Sequence, residues 1–192
     1  MQARSFNLQT PVGPMVALWG EPGLLALTWA DRQEAARPHL TRHLGEIPTR
    51  MVERMPELED PLRAYLAGEI DALRAIPVAP AGTAFQQTVW EALREIPAGD
   101  TWSYGQLAQH IGRPKAFRAV AQANGANPIP LVIPCHRVIA AQGRLGGFSS
   151  GLDRKRWLLH HERAWPDNQR QTYLWNSSAG SENSRDVTCK PT

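Results

Sequence analysis

The segment Ile76-Pro77-Val78-Ala79-Pro80-Ala81-Gly82 constrains this chain more than any other. Neither proline can donate to a helix or sheet ladder, and each pushes the residue before it toward extended backbone. No regular element can run through it, so the segment divides residues 1–82 from 83–165. The two parts carry different patterns. Ser5–Gln9 and Met15–Trp19 alternate around the turn-rich Thr10-Pro11-Val12-Gly13-Pro14, and Leu24–Trp29 is a third short apolar run. These predict antiparallel strands. Asp31 is placed to cap a helix reaching toward Leu44, interrupted at Pro38, and a second helix follows Asp60-Pro61 with Leu62, Tyr65 and Leu66 at helical spacing.

Beyond the break the pattern is helical. Thr83 is a plausible N-cap, and Phe85, Val89, Trp90, Leu93 and Ile96 share one face before Pro97-Ala98-Gly99. Ser103 caps a short helix carrying Leu107, Ala108 and Ile111. Gly112-Arg113-Pro114 is a tight turn, and a helix over 115–124 follows, marked by Ala116, Ala119, Ala121 and Ala123. Two short helices across a Gly-containing turn match a helix-turn-helix. Leu131-Val132-Ile133 leads into Pro134-Cys135-His136-Arg137-Val138-Ile139, a glycine-rich loop spans Gly143 to Gly151, and a last helix over 152–162 turns Trp157 and Leu158 to the core. After Trp165-Pro166 the residues are polar, and 166–192 read as a disordered tail.

Charge follows the same division. Residues 1–82 hold 8 Lys and Arg against 10 Asp and Glu, whereas 83–162 hold 9 against 5. A basic second part suits a polyanion or a solvated face. No apolar run is long enough to span a membrane, and the N-terminus lacks the apolar stretch of a secretory signal. With two cysteines, Cys135 and Cys189, a disulfide-dense scaffold is excluded, and a reducing cytoplasm is the simpler setting. His39 and His43 lie four apart but find no third metal ligand.

Cys135 beside His136 is the candidate reactive pair. A thiolate is the nucleophile, and a neighbouring base raises its share. On an extended segment the two side chains would point apart, so a bridging water is expected between them. A buried structural cysteine beside a surface histidine and a Cys-His hydrolase are the competing readings.

Asn127-Pro128-Ile129-Pro130-Leu131-Val132-Ile133-Pro134-Cys135-His136-Arg137-Val138-Ile139 resembles the active-site signature of the O6-alkylguanine-DNA alkyltransferases. The likeness extends to Phe85–Trp90, Thr101–Gly105, Arg118-Ala119-Val120, Gly147–Gly151 and Lys155–Glu162, and more weakly to Pro11–Pro14. It implies an α+β protein: a ribonuclease H-like small antiparallel sheet with helices over 1–82, then a winged helix-turn-helix-like domain over 83–165. It further implies a monomer that meets double-stranded DNA in the minor groove, flips out an O6-alkylguanine or O4-alkylthymine nucleotide, and transfers the alkyl group once. No cofactor is expected, since the sequence has no Gly-rich phosphate loop or dinucleotide fingerprint, and no metal, since it lacks the cysteines that hold a structural zinc in some relatives. Cys135 would accept the alkyl group, His136 would polarise it through water with Glu162 behind, and Asn127 would brace the turn. Tyr104 would donate to the guanine. Ser149, Phe148 and the backbone at Val138 would line the pocket, with Lys155 nearby. Arg118 would fill the stack, with Ala119 and Lys115 on the same groove-facing segment. Phe117, Ala121, Phe148 and Ser150 depart from the family pattern.

Overall fold

The computed structural model describes residues 2–165, so the tail, with Cys189, lies outside it. Three strands open the chain: β1 (Ala3–Leu8), β2 (Met15–Gly20) and β3 (Gly23–Trp29). They pair antiparallel as a meander, Phe6 opposite Ala17 and Ala17 opposite Leu27. The sheet is nonetheless mixed, which corrects the all-antiparallel expectation. A fourth strand, β4 (Thr49–Met51), pairs parallel to β1 at the edge, giving the order β3-β2-β1-β4. A parallel return needs a long crossover, and α1 (Gln33–Leu44) supplies it. β4 is three exposed residues with no apolar alternation, so no periodicity announced it.

Helix boundaries differ from the sequence expectation where prolines and caps compete. Asp31 sits in a single 3-10 turn and caps nothing; its carboxylate is bound elsewhere, as described below. α1 passes through Pro38 without ending. α2 begins at Pro56, with proline in the first helical position where the missing N–H costs nothing, and runs through Pro61 to Leu66. It buries Leu58, Leu62 and Tyr65.

The second part contains α3 (Ala84–Glu95), β5 (Trp102–Ser103), α4 (Tyr104–His110), α5 (Phe117–Gly125), β6 (Val138–Ile139) and α6 (Leu152–His161). Thr83 and Ser103 both form full capping boxes, with Gln86 and Gln106 at the third helical position. Each box satisfies two backbone donors locally, which is why both helix starts follow from sequence. A 3-10 turn at Pro114–Ala116 precedes α5. β5 and β6 form a short parallel pair. Leu158 and Leu159 are buried on α6, while Trp157 is only half-buried.

The two parts pack on one continuous apolar cluster, from Phe6 and Trp29 through Trp90 and Leu93 to Leu158. The proline-rich break and, from the second part, the loop after α5 both bond to the backbone of β3. Leu24 N–H donates to the Pro77 carbonyl at 2.9 Å and Ala79 N–H to the Leu24 carbonyl at 2.8 Å, so the proline-rich segment lies against the edge of β3. A Cβ at Gly23 would stand 2.5 Å from the Pro77 oxygen, so only glycine permits that approach. Leu27 N–H donates to the Pro128 carbonyl at 2.9 Å, pinning the loop after α5 to the same strand.

Candidate active site

The site is built on the loop that follows α5. Ile133 N–H reaches back to the Ile129 carbonyl at 2.9 Å, and Cys135 N–H to the Ile133 carbonyl at 2.8 Å. Leu131 sits between them at a φ of 79°, a left-handed conformation that costs a branched side chain roughly 1–2 kcal/mol. Asn127 holds the turn from inside: its Nδ2 donates to the Ile133 carbonyl at 2.8 Å, and its Oδ1 accepts from Ile129 N–H at 2.9 Å.

Cys135, His136 and Arg137 follow as a 3-10 turn, not as the extended segment expected. Three residues per turn send the side chains in three directions. Cys135 is 2% exposed and His136 is fully buried. The imidazole turns toward the end of α6, where its Nε2 lies 3.0 Å from Glu162 Oε1. His136 Nδ1 has no protein partner. Glu162 is ionised, so Nε2 carries the proton and Nδ1 remains the basic nitrogen.

Glu162 accepts from three side chains. Besides His136, its Oε1 accepts from Tyr65 Oη at 2.9 Å and from Arg137 Nη2 at 2.9 Å, while its Oε2 accepts from Arg137 Nε at 2.8 Å. Arg137 also donates to the Ile96 carbonyl. Burial acts to raise the Glu162 pKa, but the bond from His136 and the paired bonds and charge of Arg137 outweigh it and hold the carboxyl below the usual range. Burial pushes His136 below its ordinary value despite the carboxylate, so the imidazole rests neutral and Arg137 is the standing cation beside Glu162.

Burial also pushes the Cys135 thiol up to about 11, opposed by an Asn127 hydrogen bond, the Lys155 charge and nearby backbone amides. Lys155 is fully buried on α6, donating to the Val138 carbonyl at 2.6 Å and the Gly147 carbonyl at 3.1 Å. Burial brings its ammonium down to about 8, against the pull of Cys135. Tyr104, half-buried at the start of α4, is raised by burial and by its proximity to the sulfur. Cys135, His136, Glu162, Asn127, Lys155 and Tyr104 therefore meet in one place.

The glycine-rich loop forms a wall beside them. Phe148 packs edge-on to Trp29 of β3, ring centroids 6.2 Å apart. Buried Arg154 fastens the loop to the first part. It donates to the carbonyls of Val12 and Ser150, grips both oxygens of Asp31, and lies 4.9 Å over the Trp29 ring. Exposed Ser149 joins Asn127, Pro130, Thr28, Ala35 and His39 around a cleft of about 140 Å³. His39 and His43 have rings 4.6 Å apart, but His39 Nε2 is taken by the Ala81 carbonyl.

Lys115, Arg118 and Ala119 are not at the sulfur. They are exposed on the turn and outer face of α5, one helix length from Asn127, and the Arg118 guanidinium rests 5.5 Å from the centre of the Phe117 ring. Two residues at the site were absent from the sequence expectation. Arg137 stood within the Cys-His string and had a signal, a lone cation in an apolar run. Tyr65 had none, since it fits the buried stripe of α2 as any core aromatic would.

A family model described as the DNA-binding domain of 6-O-methylguanine DNA methyltransferase matches residues 84–164. A methylated-DNA–protein-cysteine methyltransferase of Shigella flexneri is 44% identical over 159 residues, covering 81% of this chain and 93% of the relative. One from Methanosarcina acetivorans is 42% identical over 157 residues, covering 80% and 94%. Among solved structures, that of Mycobacterium tuberculosis OGT in complex with DNA superposes with a TM-score of 0.70 at 37% identity, covering 84% of this chain and 93% of that one.

Proposed function

The chain belongs to the methylated-DNA–protein-cysteine methyltransferase family, and we propose that it repairs O6-alkylguanine in DNA by moving the alkyl group irreversibly onto its own Cys135. The observation that carries this reading is the buried His136–Glu162 pair next in the chain to the buried Cys135. The imidazole has its Nε2 committed to a carboxylate at 3.0 Å and its Nδ1 left basic.

The step balances without a cofactor. The Cys135 proton passes through a bridging water to His136 Nδ1. The thiolate attacks the alkyl carbon; the sulfur–carbon bond forms as the carbon–O6 bond breaks, and the bonding pair leaves on guanine. Tyr104, within electrostatic reach of the sulfur, supplies the compensating proton or hydrogen bond. Lys155 and Asn127 stabilise the thiolate while it exists. The product is a thioether, which neither water nor His136 can displace, so each molecule acts once.

An alkyl group inside a duplex is out of reach of a buried sulfur, so the nucleotide must rotate out at a cost of a few kcal/mol. We assign the exposed face of α5 to the minor groove, with Arg118 filling the vacated stack, Ala119 allowing close approach, and Lys115 on phosphate. Ser149, Phe148 and the Val138 backbone line the receiving pocket, and O4-alkylthymine is a second substrate. α4, α5 and the β5–β6 pair support a winged helix-turn-helix reading of residues 83–165, and the mixed sheet with its helices a ribonuclease H-like reading of 1–82. The protein acts as a monomer in a reducing compartment such as the cytoplasm.

Intact-mass measurement after mixing with O6-methylguanine DNA tests the reading. One methyl group per protein, on Cys135, with transfer lost and DNA binding kept in Cys135→Ala, is the expected result. Continued turnover, or transfer by Cys135→Ala, would overturn it.

A further inference from the structure

Tyr65 belongs to the first part of the chain, yet its hydroxyl ends on the carboxylate that anchors His136. It lies 97 positions before Glu162 and donates to Oε1 at 2.9 Å, the same oxygen that takes the His136 Nε2 proton at 3.0 Å. The tyrosine is fully buried. Its backbone and ring are fixed as well: His161 Nε2 donates to the Tyr65 carbonyl at 2.7 Å, the two rings are 4.8 Å apart, and His161 stacks on Trp157 with 10° between planes. A side chain held at both ends cannot follow the carboxylate; it makes the carboxylate follow it.

Building on the alkyl-transfer reading, we propose that Tyr65 is a positioning residue of the reaction: its hydroxyl fixes Glu162 Oε1 and moderates that oxygen's pull on the His136 Nε2–H. Glu162 accepts four hydrogen bonds, and three of them converge on Oε1. Donors that share one oxygen divide its charge, so the bond to His136 is weaker than the same carboxylate would make alone. An imidazole gripped less tightly is a weaker base and stays neutral over a wider pH range, the state needed to accept the thiol proton. Burial and the Glu162 charge raise the phenol above its ordinary pKa, so it remains a donor wherever the protein is folded. The charged groups around the imidazole are Glu162, Arg137 and Lys155. Among the described residues, Tyr65 is the one group from the first part that binds Glu162, which gives that part a role in the chemistry besides covering the core.

Tyr65→Phe removes the hydroxyl and keeps the ring against His161. The single-turnover rate of methyl transfer should fall several-fold on its acid side, and the acid limb of its pH profile should move up by about half a pKa unit. The ring-nitrogen NMR shifts of His136 in the free protein should report the same upward displacement, with no need for transfer. In a Glu162→Gln background the Tyr65→Phe change should leave the His136 midpoint where it was. An unmoved midpoint and limb in Tyr65→Phe, or an equal displacement with and without the Glu162 carboxylate, overturns the proposal. A wild-type protein that transfers no methyl group defeats the functional reading instead, and that is seen before any variant is made.

Discussion

Replacing Arg137 by Met tests whether the Glu162 network is held together by one cation. The substitution keeps an unbranched apolar stem in a buried position and removes the guanidinium. Glu162, 1% exposed, then loses two of its four hydrogen bonds, those at 2.8 and 2.9 Å, and the guanidinium paired with it. The Ile96 carbonyl loses its donor too. Removing one partner of a buried pair strands the other charge and typically costs about 3–5 kcal/mol. The pH dependence sharpens the test. In the native protein the Glu162 pKa is depressed, so its contribution is fully present above the unfolded carboxyl value and lost as pH falls through the folded one. Without Arg137, burial is opposed only by His136 and Tyr65, so the folded pKa rises and the carboxyl neutralises sooner. The gap between wild type and variant should therefore be widest near neutrality and narrow in mild acid. Urea unfolding at several pH values measures it. A gap under about 1 kcal/mol, the size expected of an exposed pair, or one independent of pH, would refute the reasoning.

Three other outcomes are expected. Asn127→Ala takes one of its two donors from the Ile133 carbonyl, which keeps Cys135 N–H, and strands Ile129 N–H in a buried turn; it should cost about 1–3 kcal/mol in a denaturant melt, and a loss below about 0.5 kcal/mol would mean the turn holds itself. Lys155 falls from 10.5 when unfolded to about 8 when folded, so the unfolded state binds the extra proton and stability should rise from pH 8 to pH 10.5. Against Lys155→Met, the wild type should gain over that window, and a constant gap counts against a buried ammonium. Arg154→Met removes the bonds to Val12, Ser150 and Asp31; hydrogen exchange should quicken over residues 143–151, and unchanged protection there would show that Phe148 against Trp29 is fastening enough.

What could be read from sequence was local. The capping boxes at Thr83 and Ser103 are satisfied within four residues, and the three strands of the meander follow from alternation and short turns. What could not be read depended on distant partners. β4 is defined by pairing with β1 and by nothing in its own three residues. Asp31 looks like a cap until Arg154, 123 positions later, is seen to claim both its oxygens. The extended geometry expected at Cys135–His136 gave way to a 3-10 turn because the tight fold of 127–135 and the pull of Glu162 on His136 outweigh the local preference.

The placement of charge explains why the site needs both parts of the chain. A buried ion pair is poor evidence for stability, because a well-packed apolar set of the same volume is often as stable or more so. Yet this core holds Glu162, Arg137, His136 and Lys155 together, each under 7% exposed, beside Leu158, Val138 and Ile96, which show what that alternative would look like. Stability alone does not account for four ionisable side chains in such a setting. Tautomer and geometry do: a neutral imidazole directed by a carboxylate requires the carboxylate to be ionised in the dark of the core, which requires Arg137, and to be held in one plane, which Tyr65 and Arg137 accomplish from opposite parts of the fold. The energetic cost of the network is then the cost of keeping His136 Nδ1 basic and aimed, and it is spread through contacts that no single segment of the sequence could supply.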